Sequence, residues 1–380
     1  MTKKFDLCVI GAGPGGYVSA IRASQLGLKV AIVEANHLGG ICLNWGCIPT
    51  KALLRSSEIN HLLHNLDQFG FSAQNIKHDF AKIIERSRAV SKRLSSGVAG
   101  LMKKNKIEVF DGFAKFLDAK KITISKDGKE IDQIEASYFV VATGARARVI
   151  AGMEPDGENI WTSASLKALK VGKGEVFATI EIAGKVEEIK AEKVIMAVGI
   201  VANVENLGLE KTKIKVDKGS IETNGYMETA EAHIFAIGDV AGAPWLAHKA
   251  SHEGIISAEK IASKMGKYDA KKVHPIKKEN IPGCTYSIKI GRFPYLANGK
   301  AIAMGETEGL IKVLFDEKTG ELLGAHLIGA EVTEMIQGFV IAKQAELTEE
   351  DLMHTIFPHP TMSEMMHEAV LDAYGKVIHF

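Results

Sequence analysis

Short apolar runs punctuated by glycine turns dominate the first forty residues. Phe5 to Ile10 is one such run; Gly11-Ala-Gly-Pro-Gly-Gly16 follows it, and Gly27 stands where a helix opened there would end. Val30 to Val33 is a second apolar run and closes on Glu34. The pattern predicts strand, glycine turn, helix and strand. From Phe80 to Leu101 the period changes. Phe80, Ile83, Ile84, Val90, Leu94, Val98 and Leu101 recur at roughly helical spacing with Lys and Arg between them, which predicts a long helix with a solvated basic face. Glu108 to Ile134 alternates apolar and polar residues around Asp127-Gly128 and predicts a small antiparallel sheet. Tyr138 to Ala142 predicts a separate buried strand that stops at Thr143-Gly144.

The middle of the chain is short of material. Gly174 to Ile182, an Ala183-Gly184 turn and a return through Ile189 read as a hairpin, and Val194 to Gly199 as one more buried strand. No second Gly-x-Gly-x-x-Gly occurs in this stretch, and a nucleotide-binding domain of its own would need ~100 residues. Ile234 to Ile237 predicts a strand ending in Gly238-Asp239, before a helix-compatible run from Ala247 to Met265. From about Lys271 the character changes. Strands at Ile311 to Phe315 and Leu322 to Ile328 flank Lys318-Thr-Gly320, a helix runs from Glu331 to Ala345, and a last helix ends at Ala373.

Three places carry candidate chemistry. In the first, Gly11 suits a tight turn, Gly13 lets backbone approach a pyrophosphate, and Gly16 lets helix and strand pack closely; Glu34 is placed to accept from ribose hydroxyls. In the second, Gly39 to Lys51 reads Gly-Gly-Ile-Cys-Leu-Asn-Trp-Gly-Cys-Ile-Pro-Thr-Lys, with four residues between Cys42 and Cys47 and Pro49 able to open a helix. A redox disulfide held against a flavin is the leading reading, the helix dipole favouring a Cys47 thiolate. A structural disulfide, a metal half-site and two ordinary buried cysteines are the alternatives. No second cysteine pair stands at zinc spacing, and His37, His61 and His64 make no recognisable ligand set with these two. In the third, His359-Pro-Thr-Met-Ser-Glu364 offers an imidazole oriented by a carboxylate for acid-base work. A packed histidine, with Ser363 or Glu364 capping the next helix, is the competing reading there. Asp239, at the carboxyl end of an apolar strand, is either a ligand-binding acid or a turn cap.

Composition narrows the class. The chain has 380 residues, enough for two or three domains at ~150 each. Lys plus Arg number 47 and Asp plus Glu 46, so a net charge of +1 gives no electrostatic case for nucleic acid or an anionic membrane surface. No apolar run approaches the ~20 residues of a membrane helix. Four cysteines, Cys8, Cys42, Cys47 and Cys284, are too few for a secreted disulfide framework and fit a reducing, cytoplasmic setting.

Taken together, these motifs resemble the flavin-dependent disulfide reductases over nearly the whole chain. Gly39 to Lys51 resembles that family's redox-active signature, and Ala142-Thr143-Gly144 its flavin-contacting turn. Gly238-Asp239 through Ala247-His-Lys-Ala250 and His252-Glu-Gly254 is similar to its second flavin motif, and His359-Pro-Thr361 with Glu364 to its acid-base pair. Asn44 and Ala247 to Ala250 fit the lipoamide branch best. The resemblance implies an α/β fold: a Rossmann-like FAD-binding domain (1–160 and 201–270), an inserted remnant of an NAD domain (161–200) and a C-terminal α+β dimerisation domain (271–380). It implies oxidation of dihydrolipoamide to lipoamide, with Cys42 as interchange thiol, Cys47 facing the flavin, Lys51 near the flavin N5, and His359 taking a proton while Glu364 orients it. FAD would be held by Gly11, Gly13, Gly16, Glu34, Gly40, Lys51, the Gly112-Phe-Ala114 backbone, Thr143, Gly144, Asp239 and Ala247; no metal is expected. The histidine comes from the other subunit in this family, so a homodimer follows, docking on the lipoyl-bearing component of a 2-oxoacid dehydrogenase complex. His359-Pro360 is a candidate cis bond. NAD is the family's electron acceptor, and because its fold is reduced here to Trp161 to Gly199, with a second shortening after Tyr286-Ser287, NAD-linked transfer is expected to suffer. A FAD-binding dimeric scaffold, or a related reductase of another disulfide, are the alternative functions.

Overall fold

The computed structural model describes residues 2–149, 160–161, 168–171, 176–182, 185–191, 194–195, 199–276, 289–317 and 319–379. The turn at Ala183-Gly184, residues 196–198, Tyr286-Ser287 and Cys284 lie outside the described residues. The chain divides into two compact units, Met1–His64 with Asn75–Ile276, and Asn65–Gln74 with Lys277–Phe380. Among the described residues no helix is long and apolar enough to cross a membrane.

The first unit opens with β1 (Lys3–Ile10), α1 (Pro14–Gln25) and β2 (Val30–Glu34), then α2 (Gly40–Asn44), α3 (Cys47–His64) and α4 (Phe80–Lys104). Four strands follow: β3 (Glu108–Asp111), β4 (Phe113–Asp118), β5 (Lys121–Lys126) and β6 (Lys129–Val141). Next come β7 (Ala145–Ala147), β8 (Ile160–Trp161), β9 (Ala168–Val171), β10 (Val176–Ile182), β11 (Lys185–Ala191), β12 (Val194–Ile195) and β13 (Ile200–Ala202). The unit closes with β14 (Val216–Asp217), β15 (Ser220–Ile221), β16 (Ile234–Ala236) and α5 (Ala247–Lys264).

The main sheet runs β3-β2-β1-β6-β5-β4, with β16 also paired to β6. Its centre is parallel: Leu7 stands opposite Val30 and Tyr138, and Phe139 opposite Ile234. Strands buried on both faces need no polar alternation. Accordingly Cys8, Ile10, Phe139 and Val141 fill one face with Phe116, while Leu7, Val9, Ile32 and Val140 pack with Ala20, Val98, Ala258 and Ile261 of the helices. Each such aliphatic side chain, wholly removed from water, contributes roughly 1.5–3 kcal/mol. The α1–α5 crossing is tight enough that a Cβ on Gly254 would lie 2.5 Å from the Gly15 carbonyl oxygen.

Two expectations are corrected here. β3 is not part of an antiparallel sheet; it lies parallel beside β2, with Ala31 opposite Glu108. Nor is the buried strand at 138–142 separate: it is the end of β6, whose first half pairs antiparallel with β5 and whose second half enters the parallel core. Burial along β6 rises from exposed at Lys129 to fully buried at Phe139–Val141. A periodicity reading split one strand in two because its two halves face different surroundings. In the middle of the unit, β9, β10 and β11 form a three-stranded antiparallel sheet, and β12 runs parallel to β8.

The second unit holds β17 (Lys289–Pro294), α6 (Gly299–Met304), β18 (Leu310–Phe315), β19 (Leu322–Ile328), α7 (Val332–Gln344), α8 (Glu349–His354) and α9 (Glu364–Ala373). β17, β18 and β19 make an antiparallel sheet. Phe293, Ile311, Val313 and Phe315 pack with Met335 and Phe339 of α7 and Met365 and Ala369 of α9. Gly291 is required where α9 meets β17: a Cβ there would stand 1.8 Å from the Ala369 carbonyl oxygen.

Candidate active site

The glycine turn between β1 and α1 is shaped by backbone contact. Gly11 has φ +100°, and a Cβ on it would lie 2.3 Å from the Ala142 carbonyl oxygen; one on Gly16 would lie 1.9 Å from the Gly11 oxygen. Gly13 has nothing within 4 Å of its Cβ position; it lines a cavity of about 900 Å3, so its bare backbone is open to a ligand. Glu34 ties this turn to the loop beyond β2: Oε2 accepts from the Ala12 amide at 2.6 Å and Oε1 from the Asn36 amide at 2.8 Å. A carboxylate so held keeps lone pairs for a further donor.

Of the eleven positions assigned to the cofactor from sequence, ten line this cavity: Gly11, Gly13, Gly16, Glu34, Gly40, Ala114, Thr143, Gly144, Asp239 and Ala247. Lys51 does not line it. Its side chain is exposed on α3, one turn past Cys47, and its ammonium acts on Cys42, pulling that thiol's proton affinity down.

Two clamps, one in the cavity lining and one outside it, were not read as pairs from the sequence. Asn203 donates to the Thr143 carbonyl at 2.9 Å, and the Thr143 hydroxyl donates to the Asn203 carbonyl at 2.8 Å. Beside them Arg146 and Glu205 form a bidentate pair at 2.9 and 2.8 Å. The second clamp is dry. Lys249 and Glu253 pair at 3.1 Å with side chains 1% and 2% exposed. The ammonium also donates to the Gly238 and Gly242 carbonyls at 3.1 and 2.7 Å, and Glu253 accepts from the Gly238 amide at 2.7 Å. Together they grip both ends of the turn that presents Asp239. Burial pushes the Asp239 carboxyl up, and the charge of Lys249 opposes that.

Cys42 lies in α2 and Cys47 is the first residue of α3; both line the cavity and both are free thiols. The helix thus starts two residues before Pro49, which sits buried in its first turn. This is a correction with a simple cause: the first amides of a helix have no intrahelical partner, so proline fits any early position. Burial, then the hydrogen bond and charge of Cys47, push the Cys42 thiol up to about 12. Among the described residues no group of three or more His, Cys, Asp or Glu side chains could hold a metal ion.

In the second unit His359 Nδ1 and Glu364 Oε1 are 2.8 Å apart, and Glu364 Oε2 accepts from the Thr361 amide at 2.8 Å. Burial raises the Glu364 carboxyl, but the Thr361 amide and His359 outweigh it and hold it below the ordinary carboxylate range. A carboxylate only accepts, so His359 donates through Nδ1 and keeps a lone pair on Nε2. The imidazole is 79% exposed in this chain. The His359-Pro360 bond is cis.

Two family models match, "pyridine nucleotide-disulphide oxidoreductase" over 5–184 and 159–254, and the dimerisation domain of the same family over 276–370. The chain belongs to the pyridine nucleotide-disulphide oxidoreductases. Similar curated members of the family include a dihydrolipoyl dehydrogenase of Rhizobium etli, 43% identical over 485 positions and covering 100% of both chains. Another is that of Zymomonas mobilis, 43% identical over 472 positions with the same coverage. The crystal structure of LpdA from Mycobacterium tuberculosis superposes with a TM-score of 0.83 over 97% of this chain and 99% of that one; at 19% identity it speaks for the fold alone. The Rhizobium etli alignment spans 485 positions against the 380 residues here, so more than a hundred positions of that family member face no residue of this chain.

Proposed function

We propose that this chain is a dihydrolipoyl dehydrogenase that seats FAD in the cavity and oxidises dihydrolipoamide to lipoamide through Cys42 and Cys47. One observation carries the reading: both cysteines open onto the same cavity as the glycine turn, Glu34 and Asp239. The residues fit FAD. Gly13 and Gly144 have nothing within 4 Å of their Cβ positions, leaving bare backbone in a cavity lined by three carboxylates, Glu34, Glu205 and Asp239. Gly11, Gly13, Gly16, Glu34, Gly40, Thr143, Gly144, Asp239 and Ala247 would hold it, with the Gly112 to Ala114 backbone. Bound FAD supplies a two-electron acceptor for the dithiol.

The protein's own groups move protons and sulfur bonds. His359 Nε2 takes the proton of one substrate thiol, and the thiolate attacks Cys42 Sγ; the Cys42–Cys47 bond breaks and Cys47 leaves as thiolate. The second substrate sulfur attacks the mixed disulfide, lipoamide closes, and Cys42 leaves and takes up a proton. Its affinity near 12 keeps that proton on the sulfur at neutral pH, so the reverse attack needs the same base. We assign His359 of a second copy to this dithiol, in a homodimer built on residues 271–380. Residues 1–160 and 201–270 form the FAD domain, and 161–200 are what remains of the NAD domain. The partner in turnover is the lipoyl-bearing component of a 2-oxoacid dehydrogenase complex, in a reducing, cytoplasmic compartment.

The alignment length favours a second reading for the last step. With the nicotinamide seat cut down, the chain binds FAD, dimerises and exchanges thiols, but passes electrons to NAD slowly. Purified protein should carry yellow flavin and lose its absorbance on anaerobic addition of dihydrolipoamide, while NADH formation stays low. Bleaching that survives in both Cys42→Ser and Cys47→Ser refutes the dithiol route; fast NADH formation refutes the crippled final step.

A further inference from the structure

The dithiol turn cannot hold its own shape. Cys42 sits in a five-residue helix entered through Gly39 at φ +91° and Gly40 at φ +59° and followed by Gly46. A helix of that length is not stable in isolation. Besides the Gly39 amide donating to the Ala12 carbonyl at 2.8 Å and Leu43 packing on the core, its side-chain restraint comes from α4. Ser95 donates to Asn44 Oδ1 at 2.9 Å, and Arg88 donates to the Asn44 carbonyl at 3.0 Å. Asn44 in turn donates through Nδ2 to the Gly40 and Leu38 carbonyls at 2.9 and 3.1 Å. The same helix grips the other sulfur's element. Ser87, fully buried, donates to the Pro49 carbonyl at 3.2 Å, and Arg86 donates to the Ala52 carbonyl at 3.1 Å.

We propose that α4 is the splint that sets how closely the two sulfurs approach, and that Asn44, inside the ring their disulfide closes, is its principal positioning residue. Ring closure depends on the effective concentration of one thiol at the other, which falls when either end is freed to move. Asn44 joins the Cys42 turn to α4 by side chain and carbonyl at once, so it restrains that end most. The inference rests on the reading of Cys42 and Cys47 as a redox pair.

The test uses the full holoprotein equilibrated anaerobically in glutathione buffers. The dithiol gives two hydrogens to glutathione disulfide, yielding two glutathione molecules as the Cys42–Cys47 bond forms. Alkylation and peptide mass then give the closed fraction. Asn44→Ala should lower the closure constant about tenfold, equivalent to about 30 mV, and Ser95→Ala about threefold, with Ser95→Thr returning it to the parent value. A merely structural role would move the unfolding midpoint and leave this constant alone. If Asn44→Ala does not fold, the two Ser95 variants decide. A closure constant unmoved by the substitutions overturns this inference alone; a parent protein that forms no Cys42–Cys47 bond at any poise overturns the redox reading with it.

Discussion

Lys249–Glu253 and His359–Glu364 are built from the same ingredients, a carboxylate and a basic nitrogen 3.1 and 2.8 Å apart, yet they are set in opposite surroundings. The lysine pair is dry, 1% and 2% exposed, and it is tied to the Gly238–Gly242 turn through the Gly238 amide and the Gly238 and Gly242 carbonyls. The histidine pair leaves its imidazole 79% exposed, with Nε2 open. Burial turns one pair into a fixture, because separating its members would strand a charge in a low-dielectric interior. Exposure lets the other change protonation at little structural cost, which proton transfer requires.

This contrast can be broken in graded steps. Lys249→Met leaves Glu253 buried without its cation, and urea unfolding should show a loss of about 3–5 kcal/mol, much of it recovered in Lys249→Met/Glu253→Leu. The same substitution should weaken FAD binding to the apoprotein, measured by flavin fluorescence, since it frees the turn carrying Asp239. His359→Gln should leave the unfolding midpoint within error and slow flavin reduction by dihydrolipoamide about 10²–10⁴-fold. Glu364→Gln keeps a hydrogen-bond acceptor but removes the carboxylate's charge, so a smaller loss of about tenfold is expected in the same flavin-reduction measurement.

Stability should respond least. The folded-state carboxyl of Glu364 is held below its ordinary value, so its contribution is present above the unfolded value and fades as pH falls through the folded one. With the imidazole in water that contribution is well under ~1 kcal/mol. Acid titration of the unfolding midpoint, with Glu364→Gln as reference, checks it.

How much of this was legible from the chain divides along one physical line. The β1-turn-α1-β2 unit, the Cys42–Cys47 spacing and the His359-Pro-Thr-Met-Ser-Glu364 run involve residues close in sequence, where local geometry and side-chain chemistry decide the outcome. Gly11, Gly16 and Glu34 could be assigned because a tight turn, a close helix contact and an acid after β2 each demand that residue type. The elements that escaped detection are those joined across the fold. β6 belongs to two sheets at once because its ends meet different neighbours, which hydrophobic periodicity cannot register. Lys249 and Glu253 fall within a run that resembles a flavin motif, but their pairing, like that of Arg146, Glu205 and Asn203 beside Thr143, takes shape only when the fold removes water from the first two and aligns the rest at the cavity wall. Asn44 stands out in the sequence as a mark of the lipoamide branch, but its bonding role does not, because its partner Ser95 lies fifty-one residues away. Residue order by itself determined which chemistry this protein carries. Only the packing of α4 against the dithiol segment and of α5 against α1 decided which polar groups are fixed or dry, and burial is what converts a charge or an amide into a fixed part of the site.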